Sequence, residues 1–138
     1  MPTDLEEQSS ELVQYAARLV RAVRRRLGQP AGIRILSLLD ELGPAGVTQL
    51  AEADRSSQPT VSGAVRQLEE QGLVTRRSDP QDARRSVVRL TRAGTRTLDD
   101  ARHDSGAAVA ERLARTGHTA ADVAVAVAVL RDVMAEHL

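Results

Sequence analysis

Two groups of side chains near the middle of the sequence can bind anions and the edges of nucleic-acid bases. The first group is polar: Ser57, Gln58, Thr60 and Ser62. The second group consists of arginine pairs at positions 76–77 and 84–85. Hydroxyl and amide groups hydrogen-bond to phosphates and bases, and a guanidinium group binds a phosphate or a guanine through two parallel hydrogen bonds. These residue types indicate a nucleic acid as the ligand.

The polar group lies at the start of a predicted helix over residues 58–71. The apolar residues of this helix form one stripe at helical spacing: Val61, Ala64, Val65 and Leu68. Ser56 or Ser57 can cap the helix, Pro59 fits its first turn, and Gly72 fits its end. The face opposite the stripe is small and polar, with one long cation: Pro59, Ser62, Gly63 and Arg66. A helix with such a low-profile polar face can lie in a groove.

A shorter helix is predicted immediately before this one, from Thr48 to about Asp54, with Thr48 as its cap. A few polar residues, 55–57, join the two helices. Two helices joined this tightly form a helix-turn-helix unit, in which the second helix reads the major groove of DNA.

After Gly72 the apolar spacing changes to a period of about two residues, which is typical of strands. Two short β-type runs, Leu73–Ser78 and Ser86–Leu90, are separated by turn residues at 79–83. The two arginine pairs lie near the tip or the flanks of this predicted hairpin. A hairpin beside a helix-turn-helix unit is a wing, and arginines on a wing can enter the minor groove.

The charge of the chain is concentrated on this segment, although the formal net charge of the whole chain is zero. Residues 55–98 contain nine arginines and four acidic residues. All 19 basic residues are arginine, and a GC-rich codon bias is a sufficient reason for the lack of lysine. Such a bias does not account for the clustering, which favours DNA as the partner.

Four fragments in order resemble the MarR family of winged-helix transcriptional regulators. They are LAE at 50–52, PTVSGAVRQLEEQGLVTR at 59–76, DPQDARR at 79–85 and LTRAG at 90–94. The wing signature of the family, Asp-x-Arg, is matched by Asp82 and Arg84. Its strand-to-helix junction, Leu-Thr-x-x-Gly, is matched by Leu90, Thr91 and Gly94. The resemblance implies a sequence-specific DNA-binding regulator that forms a homodimer.

The residues expected to bind double-stranded DNA are Ser57, Gln58, Thr60, Ser62, Gly63, Arg66, Arg76, Arg77, Arg84 and Arg85. The start of the 58–71 helix is expected in the major groove, with its N–H and hydroxyl groups on phosphates or bases. Gln58 is expected to read adenine, and Arg66 a base or a phosphate. Gly63 stands where family members often have a larger, frequently basic residue. It therefore implies either a close approach of the backbone to DNA or weaker direct readout.

On the wing, Arg84 is expected to reach the minor groove, while Asp82 orients it or braces the wing. Arg76, Arg77 and Arg85 are expected to bind phosphates. Each of these arginines has a plainer interpretation as a solvated surface residue. An outward apolar face on the 58–71 helix would instead favour a winged-helix module that binds protein, but that face is polar.

Long helices are predicted on both sides of the DNA-binding unit. The first, Asp4–Leu27, starts with a capping box of Thr3 and Glu6, and a second helix follows at 31–42. Thr91 caps a helix at 92–115 that Gly117 ends, and Thr119 with Asp122 opens the last helix. The last helix contains VAVAVAV at 123–129, which alternates like a strand, but its apolar spacing continues helically to His137.

The predicted fold is mainly α with a small β-hairpin wing, in which a winged helix-turn-helix unit is flanked by N- and C-terminal dimerisation helices. The chain is interpreted as one MarR-like domain, 1–138, with dimerisation helices at 1–28 and 92–138 and the DNA-binding unit at 31–91. The first and last helices carry apolar stripes that a chain of this length cannot bury alone. A two-fold homodimer would bury them and would match a palindromic site.

The predicted function is that of a dimeric repressor that binds a palindromic promoter site. Release by a small-molecule effector is one option, and Tyr15, Arg18 and Arg34 are the candidate contacts. A constitutive or protein-regulated DNA-binding protein is the alternative. The arginines at 21 and 24–26 are either a solvated face, a further phosphate contact or a basic rim to a ligand pocket.

Other chemistry is not favoured by the sequence. It has no cysteine, its three histidines are scattered, and no nucleophile motif or phosphate-binding glycine loop is present. We therefore predict neither an enzyme, nor a metal site, nor a cofactor. The lack of a membrane-length apolar run and of a signal segment predicts a cytoplasmic protein without a membrane partner.

Overall fold

The computed structural model describes residues 1–135, which form six α-helices and one antiparallel pair of strands. The elements are α1 (Asp4–Leu27), α2 (Gly32–Leu42), α3 (Val47–Asp54), α4 (Gln58–Glu70), β1 (Val74–Ser78), β2 (Ser86–Leu90), α5 (Arg92–Leu113) and α6 (Ala120–Ala135). The predicted fold class, mainly helical with one β-hairpin, is confirmed. No helix within the described residues has the length and apolarity needed to cross a membrane.

Local capping signals place most of the helix ends where the sequence predicts them. The capping box of α1 is complete, because the Thr3 hydroxyl accepts the Glu6 N–H and the Glu6 carboxylate accepts the Thr3 N–H. Ser57 caps α4 by accepting the Thr60 N–H at 3.2 Å, with Pro59 in the first turn. Gly72, just beyond α4, has the positive φ of 74° that favours glycine.

Two predicted helix ends are wrong. Thr48 is not the cap of α3, which begins one residue earlier and has Gly46 as its N-cap without a side-chain hydrogen bond. A tertiary contact sets this start, because Ala45 and Val88 exchange two backbone hydrogen bonds of 3.1 and 2.8 Å. Gly117 does not end α5, which stops at Leu113 in a tight turn closed by the N–H and hydroxyl of Thr116 on the Leu113 carbonyl.

The winged helix-turn-helix unit encloses one apolar core. This core consists of Ile35, Leu36, Leu39, Ala45, Leu50, Ala51, Val61, Val65, Leu68, Val74, Val88 and Leu98. The predicted stripe of α4 is buried in it, and α2 is central, as its all-round apolar sequence predicts. By its contacts the chain divides into two compact units, one of residues 1–104 and one that begins at Ser105. We call the part of the chain that encloses this core, from α2 through β2 with the start of α5, the reading head. Its core lies entirely in the first unit.

The junction between the hairpin and α5 locks the wing to the helix-turn-helix unit. The Thr91 hydroxyl donates to the Gly72 carbonyl at 2.7 Å and accepts the Gly94 N–H at 3.0 Å, so it also caps α5. The Thr91 N–H donates to the Leu73 carbonyl at 3.1 Å. A Cβ atom on Gly94 would overlap that same carbonyl oxygen, so glycine is required there. The Leu-Thr-x-x-Gly pattern is therefore a packing requirement of this turn.

The second unit contains the end of α5 and all of α6. The Thr119 hydroxyl and the Asp122 carboxylate cap each other's N–H groups, at 3.3 and 2.9 Å, as a capping-box variant. The VAVAVAV run is helical, as predicted. His137, the last residue of the predicted apolar spacing, lies outside the described residues.

Candidate nucleic-acid interface

The exposed side of α4 begins with a polar turn. Gln58, Pro59, Thr60, Gly63 and Arg66 are exposed, and Ser62 is half-buried. The Val61, Val65 and Leu68 side of the helix faces the core. The polar residues predicted to bind DNA therefore share the outward side of a helix that is fixed from behind.

Ser57 and Thr60 act as one hydrogen-bonding pair. Their hydroxyl oxygens are 2.7 Å apart, and the Ser57 oxygen also accepts the Thr60 N–H. Either hydroxyl can donate to the other, and one hydroxyl hydrogen then points outward. Pro59 has no N–H and the Thr60 N–H is taken by Ser57, so the donors that remain for an anion at this helix N-terminus are the outward hydroxyl hydrogen and the Gln58 N–H.

Asp82 organises the tip of the wing. Its carboxylate accepts the Arg84 N–H at 3.0 Å, and its carbonyl accepts the Arg85 N–H at 3.0 Å. The guanidinium nitrogens approach the same carboxylate less closely, with Nε to oxygen distances of 3.7 Å for Arg84 and 3.8 Å for Arg85. These side chains are 95% and 80% exposed. Asp82 thus fixes the turn backbone and leaves both guanidinium groups accessible to an external ligand.

The two arginines of β1 occupy different environments, because alternate residues of a strand point to opposite faces. Arg76 pairs across the hairpin with Val88, which is fully buried. Its Nε atom is buried and has no hydrogen-bond partner within the described residues. Arg77 is exposed. The sequence predicts the same phosphate-binding role for both arginines. In the structure, Arg76 lies on the inner face of the hairpin and Arg77 on the outer face.

The three candidate effector contacts are not brought together. The Arg18 guanidinium lies 5.3 Å from the centre of the Tyr15 ring, on an open face of α1. Arg34 lines a separate small hollow of about 90 Å³ at the link between α1 and α2, with Arg24 and Gln29. Its Nε atom lies 3.3 Å from an oxygen of Asp54. The structure therefore offers two separate surfaces in place of one pocket.

The sequence did not predict a role for Asp54, and it predicted Ser56 only as an alternative cap of the 58–71 helix. The Ser56 hydroxyl donates to Asp54 at 2.8 Å, and Arg55 between them has a positive φ of 53°. An Asp-x-Ser sequence at a helix end is a local signal for such a turn. The contact between Arg34 and Asp54 has no local signal in the sequence, because the two residues lie on different helices.

The fold and the exposed cationic surface define a winged helix-turn-helix protein. Residues 30–86 match the model of the MarR family. The chain is 31% identical over 103 residues to the HTH-type transcriptional repressor NicR of Pseudomonas putida KT2440, which covers 71% of this chain and 65% of NicR. It is 41% identical over 64 residues to YxaD of Bacillus subtilis 168, an uncharacterised HTH-type transcriptional regulator, with 46% and 45% of the two chains covered.

A MarR family protein from Bacillus stearothermophilus has the same fold, with a TM-score of 0.70 at 23% identity and with 96% of this chain and 95% of that chain covered. The chain spans less than two thirds of the length of each of the two sequence relatives. The resemblance drawn from the motifs is confirmed. The winged helix-turn-helix region of this chain is similar to the MarR family in sequence and has the family's fold.

Proposed function

We propose that this protein is a sequence-specific DNA-binding regulator of transcription that acts as a homodimeric repressor. The observation that carries the proposal is the polar and cationic surface of α4 and the wing, mounted on the core of a MarR-family reading head. The relatives described above are named as transcriptional regulators, and NicR as a repressor. Action on DNA places the protein in the cytoplasm.

In this proposal α4 lies in the major groove and the wing follows the minor groove. Ser57, Thr60 and the helix N-terminus bind phosphate, and Gln58 and Arg66 face the bases. At the wing, Arg84 enters the minor groove, held by the turn that Asp82 braces. The remaining arginines, Arg76, Arg77 and Arg85, bind phosphates.

A second copy of the chain is proposed to cover α1. Within the described part of the chain, α1 has no buried residue, although it carries a long apolar stripe. Leu5 is 76% exposed, Val13 69% and Leu19 50%. An apolar surface of this kind on one long helix marks a site of association. A two-fold pair would also place two reading helices on one face of DNA, about one helical turn (~34 Å) apart.

Release from DNA by a small molecule is a further part of the proposal. Arg34 and Arg24 beside the small hollow suit a compact anion, while Tyr15 and Arg18 offer a stacking surface on α1. These are two distinct contacts, and each can be tested by titration of aromatic and inorganic anions into the DNA complex. If the protein is a regulator without any effector, neither titration should change its affinity for DNA.

The salt dependence of DNA binding tests the proposal. The logarithm of the association constant should fall with the logarithm of salt concentration, with a slope of about −0.9 for each phosphate contacted. Replacing both Arg77 and Arg85, the two exposed arginines proposed to bind phosphates, by alanine should make the slope shallower by about two units, and an Arg112→Ala variant is the control. If the purified protein binds no duplex in a salt-sensitive way, the proposal fails and the protein-binding alternative stands.

A further inference from the structure

The turn that leads into α4, the proposed reading helix, is contacted by a side chain of α2. Asp54 is the last residue of α3, and its side chain is only 10% exposed. One carboxylate oxygen lies 3.3 Å from the Nε of Arg34, near the start of α2. The other oxygen accepts the Ser56 hydroxyl at 2.8 Å. One oxygen of this carboxylate therefore contacts α2, and the other holds the turn between α3 and α4.

The backbone of this turn has a conformation that needs such support. Arg55 has a φ of 53°, a left-handed conformation that residues with a Cβ atom adopt only at an energetic cost. The Ser56 N–H reaches back to the Ala51 carbonyl at 3.1 Å, and the cap of α4, Ser57, follows immediately. A change at Asp54 is therefore transmitted within three residues to the first turn of the reading helix.

The pair of Arg34 and Asp54 differs from a second ion pair that involves α2, that of Asp40 and Arg102. Arg34 is 38% exposed, and its Nε makes a charge contact with Asp54 without an aligned hydrogen bond. Arg102 and Asp40 form a shorter contact of 3.0 Å, but their side chains are 50% and 44% exposed. Solvent screens the second pair more strongly, so its loss should matter less. Removing the partner of a buried carboxylate leaves that charge uncompensated.

We propose that Arg34 and Asp54 are positioning residues that set the angle of the reading helix against α2. This inference rests on the proposed function, since a reading helix needs a defined angle only if it reads bases. Base-edge contacts require exact placement of α4, whereas flexible arginines still reach phosphates after a small rotation. Loss of the pair should therefore weaken specific binding and leave non-specific binding almost unchanged.

The experiment compares Asp54→Asn with Asp40→Asn. Each variant removes one carboxylate charge from an Arg–Asp pair, and Asp54→Asn keeps the shape and the acceptor for Ser56. The probes are a duplex enriched from random DNA by the unaltered protein and a shuffled duplex of the same length. We expect Asp54→Asn to lower affinity for the enriched duplex about tenfold and for the shuffled duplex less than about twofold. Asp40→Asn should change both by less than about twofold.

Hydrogen exchange of the free protein gives a readout that does not depend on DNA. In Asp54→Asn, the hydrogen-bonded amides of Ser56, Thr60 and Val61 should exchange about tenfold faster, while those of Leu36 and Leu39 stay protected. Arg34→Gln should reproduce both effects, and Arg34→Lys, which keeps the positive charge, should restore part of the affinity.

Equal losses on both duplexes, or exchange that rises uniformly through the core, would mean that the pair only stabilises the fold and would overturn the inference. Unchanged binding and exchange would overturn it as well. If the unaltered protein enriches no duplex, the proposed function fails, and the exchange of Ser56, Thr60 and Val61 alone then decides whether the pair holds the turn.

Discussion

The reading head buries its apolar side chains, whereas the terminal helices, α1 and α6, expose theirs. In the reading head, α2, α3, α4 and the hairpin contribute to one core, and residues such as Leu36 and Leu50 are fully buried. In the described parts of α1 and α6 no residue is buried, although both helices carry many large apolar side chains. The reading head completes its core within one chain, whereas the apolar side chains of the terminal helices stay exposed.

This difference assigns separate tasks to the two regions. A self-contained reading head can keep its shape while the helices around it change partners or angles. Apolar side chains such as Leu5 and Val125, which are 76% and 65% exposed, would be costly to keep in water. Changes in the terminal helices should therefore affect assembly first, and changes in the reading head should affect stability or DNA binding.

The largest effect is expected for Leu12→Glu combined with Leu19→Glu in α1. A fully buried leucine contributes about 1.5–3 kcal/mol, and a two-fold pair contains four of these side chains. We expect monomers at micromolar concentration in analytical ultracentrifugation and a loss of DNA affinity greater than about a hundredfold. Gln14→Glu, on the opposite face of the helix, should remain dimeric. A dimeric double variant would contradict the assignment of α1 to the interface.

The next effect tests the self-sufficiency of the reading head. Gly94→Ala forces a Cβ atom onto the Leu73 carbonyl, so we expect a loss of about 3 kcal/mol in the free energy of unfolding, measured with urea. Gly106→Ala in the same helix meets nothing within 4 Å and should stabilise by about 0.5–1 kcal/mol. Equal effects of the two substitutions would show that the hairpin junction is not a packed part of the reading head.

Arg84→Ala should separate DNA binding from assembly. The side chain is 95% exposed, so its loss should not change the free energy of unfolding or the dimer constant. If it makes a specific contact, DNA binding should weaken by about 1–3 kcal/mol in fluorescence anisotropy. Arg96→Ala, an exposed arginine of α5, is the matched control. Unchanged affinity would remove Arg84 from the reading surface.

The smallest effect concerns the start of α6. Hydrogen bonds from the Thr119 N–H and from His118 lower the pKa of Asp122 below its ordinary value of 3.8. A lowered pKa stabilises the folded state above the ordinary value, and this contribution is lost as pH falls through the folded pKa. Asp122→Asn should slightly lower the melting temperature at pH 6, and the difference should vanish on acidification below pH 3.8. A constant difference across that range would show that the carboxylate charge is irrelevant.

Local chemistry made most of the fold predictable, and tertiary contacts account for what was not. The Thr3–Glu6 box and the Ser57 cap each depend on residues three apart, so the sequence shows them directly. The start of α3 depends on the bridge of Ala45 to a distant strand, which no local pattern reveals. Thr48 looked like a cap because the bridge that fixes Gly46 was not visible in the sequence.

The candidate interface shows the same division. Strand alternation alone could have distinguished Arg76 from Arg77, since the buried partner Val88 belongs to an apolar run. The contact between Arg34 and Asp54 joins two helices and could only be found in the structure. Residues on one element were therefore predictable, whereas residues that act across elements were not.

Selection of bound duplexes from random DNA, at moderate salt and with the purified protein, tests the central claim most directly. A paired reading head predicts an enriched palindrome whose half-sites are about 10 base pairs apart, one turn of the double helix. The Leu12→Glu, Leu19→Glu variant should enrich at most a single half-site. A failure of the unaltered protein to enrich any sequence would contradict the account of this chain as a dimeric reader of DNA.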